Sequence, residues 1–162
     1  MRKIIPAIIM FLLFSMPAAT AGAMDLRMEN DSFVIRYTVG DERIAAELER
    51  EFLPIRKRII ADIGVDFPGR TEIRLCPTIE AFREAQPGGT WIPLWAAGVA
   101  YPAENVIVLR SPRAIKGGRI DVVDVLAHEF SHIALGHALA GVRVPGQCGH
   151  SPGRVPPSAT IE

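Results

Sequence analysis

Apolar and polar positions along the chain recur with the periods of strands and helices. Residues 32–38 alternate apolar and polar side chains, which predicts a partly buried strand. From Glu42 onward the apolar residues recur every three or four positions, so we predict an amphipathic helix that stops at Gly64. Pro54 lies within this helix and is expected to kink it, because proline removes one backbone donor.

Shorter elements are predicted to follow this helix. Segment 72–76 favours a strand, and Thr78 is placed to cap a short helix that reaches Ala85. Residues 98–102 and 105–109 favour two further strands. The connection between these two strands is tight, so we expect them to be antiparallel neighbours.

A long helix is predicted near the end of the patterned region. Asp121 is placed to cap it, and it is expected to run through Ala140 with Gly141 at its end. The resulting order is strand, helix, strand, short helix, two strands and long helix. This order predicts an α+β fold, in which helices pack on a mixed sheet.

The first 23 residues have the layout of a secretory signal peptide. Arg2 and Lys3 precede an apolar run of about 13 residues, which is shorter than the roughly 20 residues needed to cross a bilayer. Small residues then offer cleavage sites after Ala21 or Ala23, of which we favour Ala23. The protein is therefore expected to be exported to the periplasm or beyond the cell, and to stay at a membrane only if this segment is retained.

Composition and charge narrow the function classes. The 162 residues include 18 Lys+Arg and 18 Asp+Glu, so the chain lacks the sustained positive potential that binding to nucleic acid or anionic membranes requires.

A chain of this length indicates a single domain, which we place at residues 24–145. Residues 146–162 are rich in Gly and Pro and have no apolar period, so they are expected to be irregular. The two cysteines, Cys76 and Cys148, are able to form at most one disulfide.

Residues 128–132 read His-Glu-Phe-Ser-His, an H-E-x-x-H motif inside the predicted long helix. Histidines four positions apart project from the same face of a helix, so His128 and His132 are candidate ligands of one metal ion. Zinc suits this pair best, because it binds imidazole readily and activates water near neutral pH. Glu129 is the candidate general base, since its carboxylate is placed to contact a water molecule without being a ligand.

The residues around this motif, 125–135, resemble those of the peptidase MA-like family of gluzincin metallopeptidases. The resemblance extends over residues 32–145 in element order, and its specific part is the helix. It implies a zincin-like fold, with His128 and His132 as zinc ligands and Glu129 as general base for water attack on a peptide bond. Peptides or proteins would then be the substrates.

The chain departs from the family after Pro145. Family members usually continue with Arg-Trp-x-x-Glu-Gly, whose Glu is the third zinc ligand, whereas residues 146–150 here read Gly-Gln-Cys-Gly-His. The departure indicates a truncated or frame-shifted gene without the family's C-terminal subdomain. His150 and Glu162 are left as candidate third ligands, and we expect weak zinc binding and low activity from this form.

Two other functions compete with the peptidase. The chain is alternatively a non-catalytic remnant with some metal affinity, or a small envelope binding module whose H-E-x-x-H is structural.

Trp91 and Trp95 are expected to pack in the core or in their own loop rather than to line a substrate cleft. His137 lies about 140° around the helix from His132, so it is not expected to reach the same metal.

A sheet edge is the last feature expected from the sequence. The strand that begins at Gly98, or its partner, is predicted to be exposed at that edge. By analogy with the family, such an edge holds a peptide in extended form.

Overall fold

The computed structural model describes residues 24–115 and 120–141. The predicted signal peptide and the predicted irregular tail lie outside these residues, as do Cys148, His150 and Glu162. None of the helices in the two described stretches is long and apolar enough to cross a membrane.

A mixed five-stranded sheet forms the centre of the described fold. Its strand order is β1-β2-β3-β5-β4, with parallel pairing of β2 to β3 and of β3 to β5, and antiparallel pairing at both sides of the sheet. The strands are β1 (Leu26–Glu29), β2 (Phe33–Tyr37), β3 (Thr71–Cys76), β4 (Gly98–Tyr101) and β5 (Val106–Arg110). Four of them were predicted to within one residue at each end, and β1 was not predicted.

Three α-helices pack on this sheet, at the positions predicted from the apolar period of the first and from the N-caps of the other two. They are α1 (Glu42–Ile63), α2 (Ile79–Glu84) and α3 (Val122–Gly141). Gly64 follows α1 with φ 79°, a left-handed conformation that favours glycine at a helix end. The assigned helix continues without a break through Pro54.

Side-chain caps set the starts of α2 and α3. The Thr78 hydroxyl accepts a hydrogen bond from the backbone N–H of Ala81 at 3.1 Å. Asp121 Oδ1 accepts from the backbone N–H groups of Val123 and Asp124 at 2.9 and 3.2 Å. Each cap pairs backbone donors that the first turn of a helix leaves free, so both predicted N-caps are confirmed.

The two faces of the sheet carry separate apolar clusters. On one face, α1 and α3 pack against alternate residues of the central strands, including Ile73, Leu75, Ile107 and Leu109. On the other face, α2 covers a smaller cluster. Burial in this second cluster raises the pKa of the Cys76 thiol to about 12, so the thiol stays protonated at neutral pH. The domain is therefore α+β, with helices on both faces of a mixed sheet.

Candidate active site

Helix α3 is fixed to the core by one face, and its histidine pair lies on the other. Phe130, within the H-E-x-x-H motif, is fully buried and packs edge-on against Phe52 at a ring-centroid distance of 5.3 Å. His128 and His132 are exposed. The period of α3 therefore separates the side chains that hold the helix from the two that are able to bind a ligand.

The two imidazoles meet above the surface of α3. His128 Nε2 and His132 Nε2 are 3.3 Å apart, and the rings are nearly perpendicular, at 83°. Two nitrogens each about 2.0–2.1 Å from a tetrahedral zinc ion lie ~3.3–3.4 Å from each other. The pair therefore has the spacing of two ligands of one zinc ion. The same separation also suits an N–H···N hydrogen bond between neutral imidazoles.

Glu129 lies on the side of α3 that packs against β4, with both histidines close enough to act on its carboxyl group. Its side chain is within reach of β4, and only 8% of the residue is exposed. Burial raises the pKa of the Glu129 carboxyl above its ordinary value, while the imidazoles of His128 and His132 and a backbone hydrogen bond from Ala100 oppose that rise. A carboxylate with this combination of burial and neighbours is a stronger proton acceptor than one in water.

Strand β4 presents an open backbone edge beside Glu129. Arg110 donates its backbone N–H to the carbonyl of Ala97 at 2.9 Å, which makes these two residues a hydrogen-bonded pair. Since such pairs alternate along an antiparallel ladder, the backbone groups of Gly98 and Ala100 point away from β5. No strand within residues 24–115 and 120–141 pairs with this edge. The predicted exposed edge is therefore β4 itself.

Two glycines let α3 approach β4 closely. A Cβ atom at Gly98 would lie 2.8 Å from Glu129 Cγ and 2.8 Å from Val125 Cγ1. A Cβ atom at Gly136 would lie 2.3 Å from Pro102 Cβ. Neither glycine was assigned a role in the sequence analysis. The one feature of the sequence that could have pointed to them is a glycine within a predicted strand and a glycine within a predicted helix.

Substitution of Gly136 is expected to push α3 away from β4. We predict that Gly136→Val lowers the free energy of unfolding by about 2–3 kcal/mol, because the new atoms overlap the rigid ring of Pro102. Urea denaturation followed by circular dichroism measures this change. Gly141→Ala is the matched control, since a Cβ there meets nothing within 4 Å, and equal effects of the two variants would contradict the close approach.

A cleft of about 500 Å³ lies between α3 and β4. Glu129 and His132 line it, together with Leu135 and Leu139 from the following turns of α3. Residues Gly98 to Ala100 and Pro102 line the β4 side. The open backbone edge, the buried carboxylate and one of the two histidines therefore face the same space.

Other residues considered from the sequence lie elsewhere. His137 stacks on Phe67 with ring centroids 4.2 Å apart, and its Nε2 lies 2.5 Å from Asn105 Oδ1, so it occupies a different side of α3 from His132. Trp91 and Trp95 are 82% and 84% exposed, so the prediction that they pack in the core or loop is wrong. Their loop is instead anchored by a neighbouring residue, Ile92, which is buried.

A third metal ligand is not assembled by the described residues. Within residues 24–115 and 120–141, no three His, Cys, Asp or Glu side chains come together as a group that would hold a metal ion. Comparison of the chain with protein-family models, with curated proteins and with solved structures gives no match.

Proposed function

We propose that this protein is an exported zinc-dependent metallopeptidase with a zincin-like fold. The observation that carries the proposal is the 3.3 Å separation of His128 Nε2 and His132 Nε2 on a core-anchored helix. Glu129 lies between them in sequence and faces an open strand edge across a cleft. The resemblance of residues 125–135 to gluzincin peptidases supports the same assignment.

Each motif residue has a distinct role in this proposal. His128 and His132 bind zinc through their Nε2 atoms. When bound, the ion would polarise the scissile carbonyl and lower the pKa of a water molecule. Glu129 accepts a proton from the attacking water and passes it to the leaving amine, and its partial burial keeps this exchange away from bulk solvent. The helix holds all three side chains, so their relative positions do not depend on a loop.

Strand β4 is proposed to hold the substrate. The outward N–H and carbonyl of Gly98 and the outward carbonyl of Ala100 are able to pair with an extended peptide, which adds to the sheet as a further strand, while the Ala100 N–H is donated to Glu129. A peptide bound there passes along the cleft that contains Glu129 and His132. Main-chain pairing of this kind accepts many sequences, because it uses groups that every residue carries.

The third ligand would have to come from residues beyond Gly141. His150 and Glu162 are the candidates, and both lie outside the described residues. Catalytic zinc normally has three protein ligands and a water, so two histidines alone are expected to bind zinc weakly. We accordingly expect low peptidase activity from a chain whose residues 146–150 lack the family's Glu.

Zinc titration tests the metal site. The purified protein is expected to bind about one zinc ion, and His132→Ala should weaken binding at least about ten-fold, because it removes one of the two paired nitrogens. Isothermal titration calorimetry and metal analysis measure the change. His137→Ala is the control, since His137 pairs with Asn105 instead. Zinc binding that is unchanged in His132→Ala would show that the histidine pair is not the metal site, whereas a parent protein that binds no zinc would support the binding-module alternative.

A second variant decides the role of His150. If His150 is a ligand, His150→Ala should reduce zinc affinity as much as His132→Ala does. If affinity is unchanged, His150 takes no part in the site and Glu162 becomes the next residue to replace. Circular dichroism of both variants should show the same helix content as the parent protein, so that a change in affinity is not caused by unfolding.

A further inference from the structure

We propose that the cleft between α3 and β4 selects peptides with bulky apolar side chains on the amino-terminal side of the bond to be cleaved. The proposal rests on the peptidase function, because it names the substrate class of that site. Leu135 and Leu139 carry it: they lie one and two turns beyond His132, and line the same cleft. Neither the roles proposed for the H-E-x-x-H residues nor backbone pairing along β4 explains why these two positions are leucine.

The two leucines are unusually open to solvent for such side chains. Leu135 is 48% exposed and Leu139 is 63% exposed. Both belong to a continuous face of α3 with His132 and Gly136, since residues three, four and seven positions apart share one side of a helix. An apolar side chain that covers them removes apolar surface from water, which favours binding.

The charges of the cleft disfavour polar occupants. Among the described residues that line it, the ionisable groups are Glu129 and His132, at the end where the reaction is proposed. Leu135, Leu139 and Pro102 offer no group to pair with a charged side chain at the other end. A charged side chain placed there would gain no partner, whereas an apolar one would cover apolar surface.

The direction of the substrate follows from the direction of β4. Gly98 faces Val125 and Glu129, whereas Pro102 faces Gly136, so β4 and α3 run the same way. Antiparallel strand pairs are slightly more stable per residue than parallel ones, and we take the peptide to run antiparallel to β4. Its amino-terminal part then extends toward the two leucines.

Helix and strand dimensions give the positions of the selected side chains. Leu135 and Leu139 lie about 4.5 and about 10.5 Å beyond His132 along the axis of α3. An extended peptide advances roughly 3.3 Å per residue. The leucines therefore lie beside side chains roughly one to three residues before the cleaved bond.

Peptide binding tests the selectivity without requiring catalysis. Fluorescein-labelled hexapeptides of sequence Leu-Leu-Leu-Gly-Gly-Gly and Ser-Ser-Ser-Gly-Gly-Gly are titrated with the metal-free protein and followed by fluorescence anisotropy. The leucine peptide is expected to bind at least about ten-fold more tightly, and Leu135→Asp and Leu139→Asp should each remove most of that preference. Leu53→Asp is the matched control, because Leu53 is 47% exposed on α1 and does not line the cleft. Equal binding of the two peptides, or an equal loss in Leu53→Asp, would overturn the proposal.

Crosslinking tests the direction. Photo-leucine is placed at the first or the last position of the peptide Leu-Leu-Leu-Gly-Gly-Leu, and crosslinked residues are identified by mass spectrometry. Crosslinks from the first position to the 135–139 turn are expected, and crosslinks to that turn from the last position alone would reverse the assignment. Zinc content is measured on the same preparation. If the protein binds no zinc but prefers leucine peptides, the apolar preference of the cleft is retained while the peptidase function, and with it the position relative to a cleaved bond, is rejected. If the protein binds zinc but shows no preference, the apolar selectivity is rejected and the peptidase function is not.

Discussion

Phe130→Ala is expected to lower the free energy of unfolding by about 3–5 kcal/mol, the largest stability effect of any change in the H-E-x-x-H motif. Phe130 is fully buried and contacts the rings of Phe52 and Phe67, at centroid distances of 5.3 and 5.8 Å. Truncation removes those contacts and leaves a cavity that α1 and α3 are able to fill only in part. Urea denaturation, monitored by circular dichroism, measures the loss.

The matched control for Phe130→Ala is Leu139→Ala, on the exposed side of the same helix. Leu139 is mostly exposed, so its truncation should change the free energy of unfolding by less than about 1 kcal/mol. Zinc affinity of the Phe130→Ala protein, measured where it is still folded, should also fall, because the packing that aims the two histidines is lost. Equal stability losses in the two variants would contradict the placement of α3 in the core.

Glu129→Gln is expected to have the largest effect on catalysis. The variant should lower kcat by about 10²–10⁴-fold while zinc affinity stays close to that of the parent, since the amide is unable to accept the proton of the attacking water. Because low activity is expected from the chain itself, the measurement also uses a chain in which an Arg-Trp-x-x-Glu-Gly segment and its following helix replace residues 146–162. Cleavage of a library of quenched fluorescent peptides gives the rates.

Zinc binding separates the outcomes of the Glu129→Gln experiment. If the parent chain with the added segment binds zinc and cleaves peptides, and Glu129→Gln retains zinc but not activity, the general-base role is supported. If it binds zinc and cleaves nothing in the library, the peptidase function should be abandoned in favour of the non-catalytic remnant. Asp124→Asn is the control for removal of a nearby carboxylate, because Asp124 lies in the exposed first turn of α3.

Local patterns were enough to predict most of the secondary structure. Helix α1 and strands β2 and β3 follow from short-range apolar periods, and the caps at Thr78 and Asp121 need only a side chain a few residues away from its donor. Strand β1 (Leu26–Glu29) was not predicted although its four residues alternate apolar and polar side chains, because its strand structure depends on pairing with β2. Pairing of that kind depends on residues that are distant along the chain.

The candidate site was predictable to the extent that it lies on one helix. The spacing of His128 and His132 determines that both project from one face of α3. The apolar residues of α3, such as Leu126, Phe130 and Ile133, determine which face is buried. The sequence therefore contained the two candidate ligands and the candidate base. It also placed His137 away from them, since the same helical geometry applies.

Tertiary structure decided everything that depends on two elements meeting. The position of β4 at the sheet edge, the burial of Glu129 beside it and the cleft that reaches Leu139 arise from α3 packing on β4, which no local period encodes. The close approach depends on missing side chains at Gly98 and Gly136, whose importance is visible only when their neighbours are known. Sequence by itself determined which groups share a helix face, because that is set by bonds within a few residues. Only packing between distant segments determined what those groups face, because burial and access are properties of the folded chain.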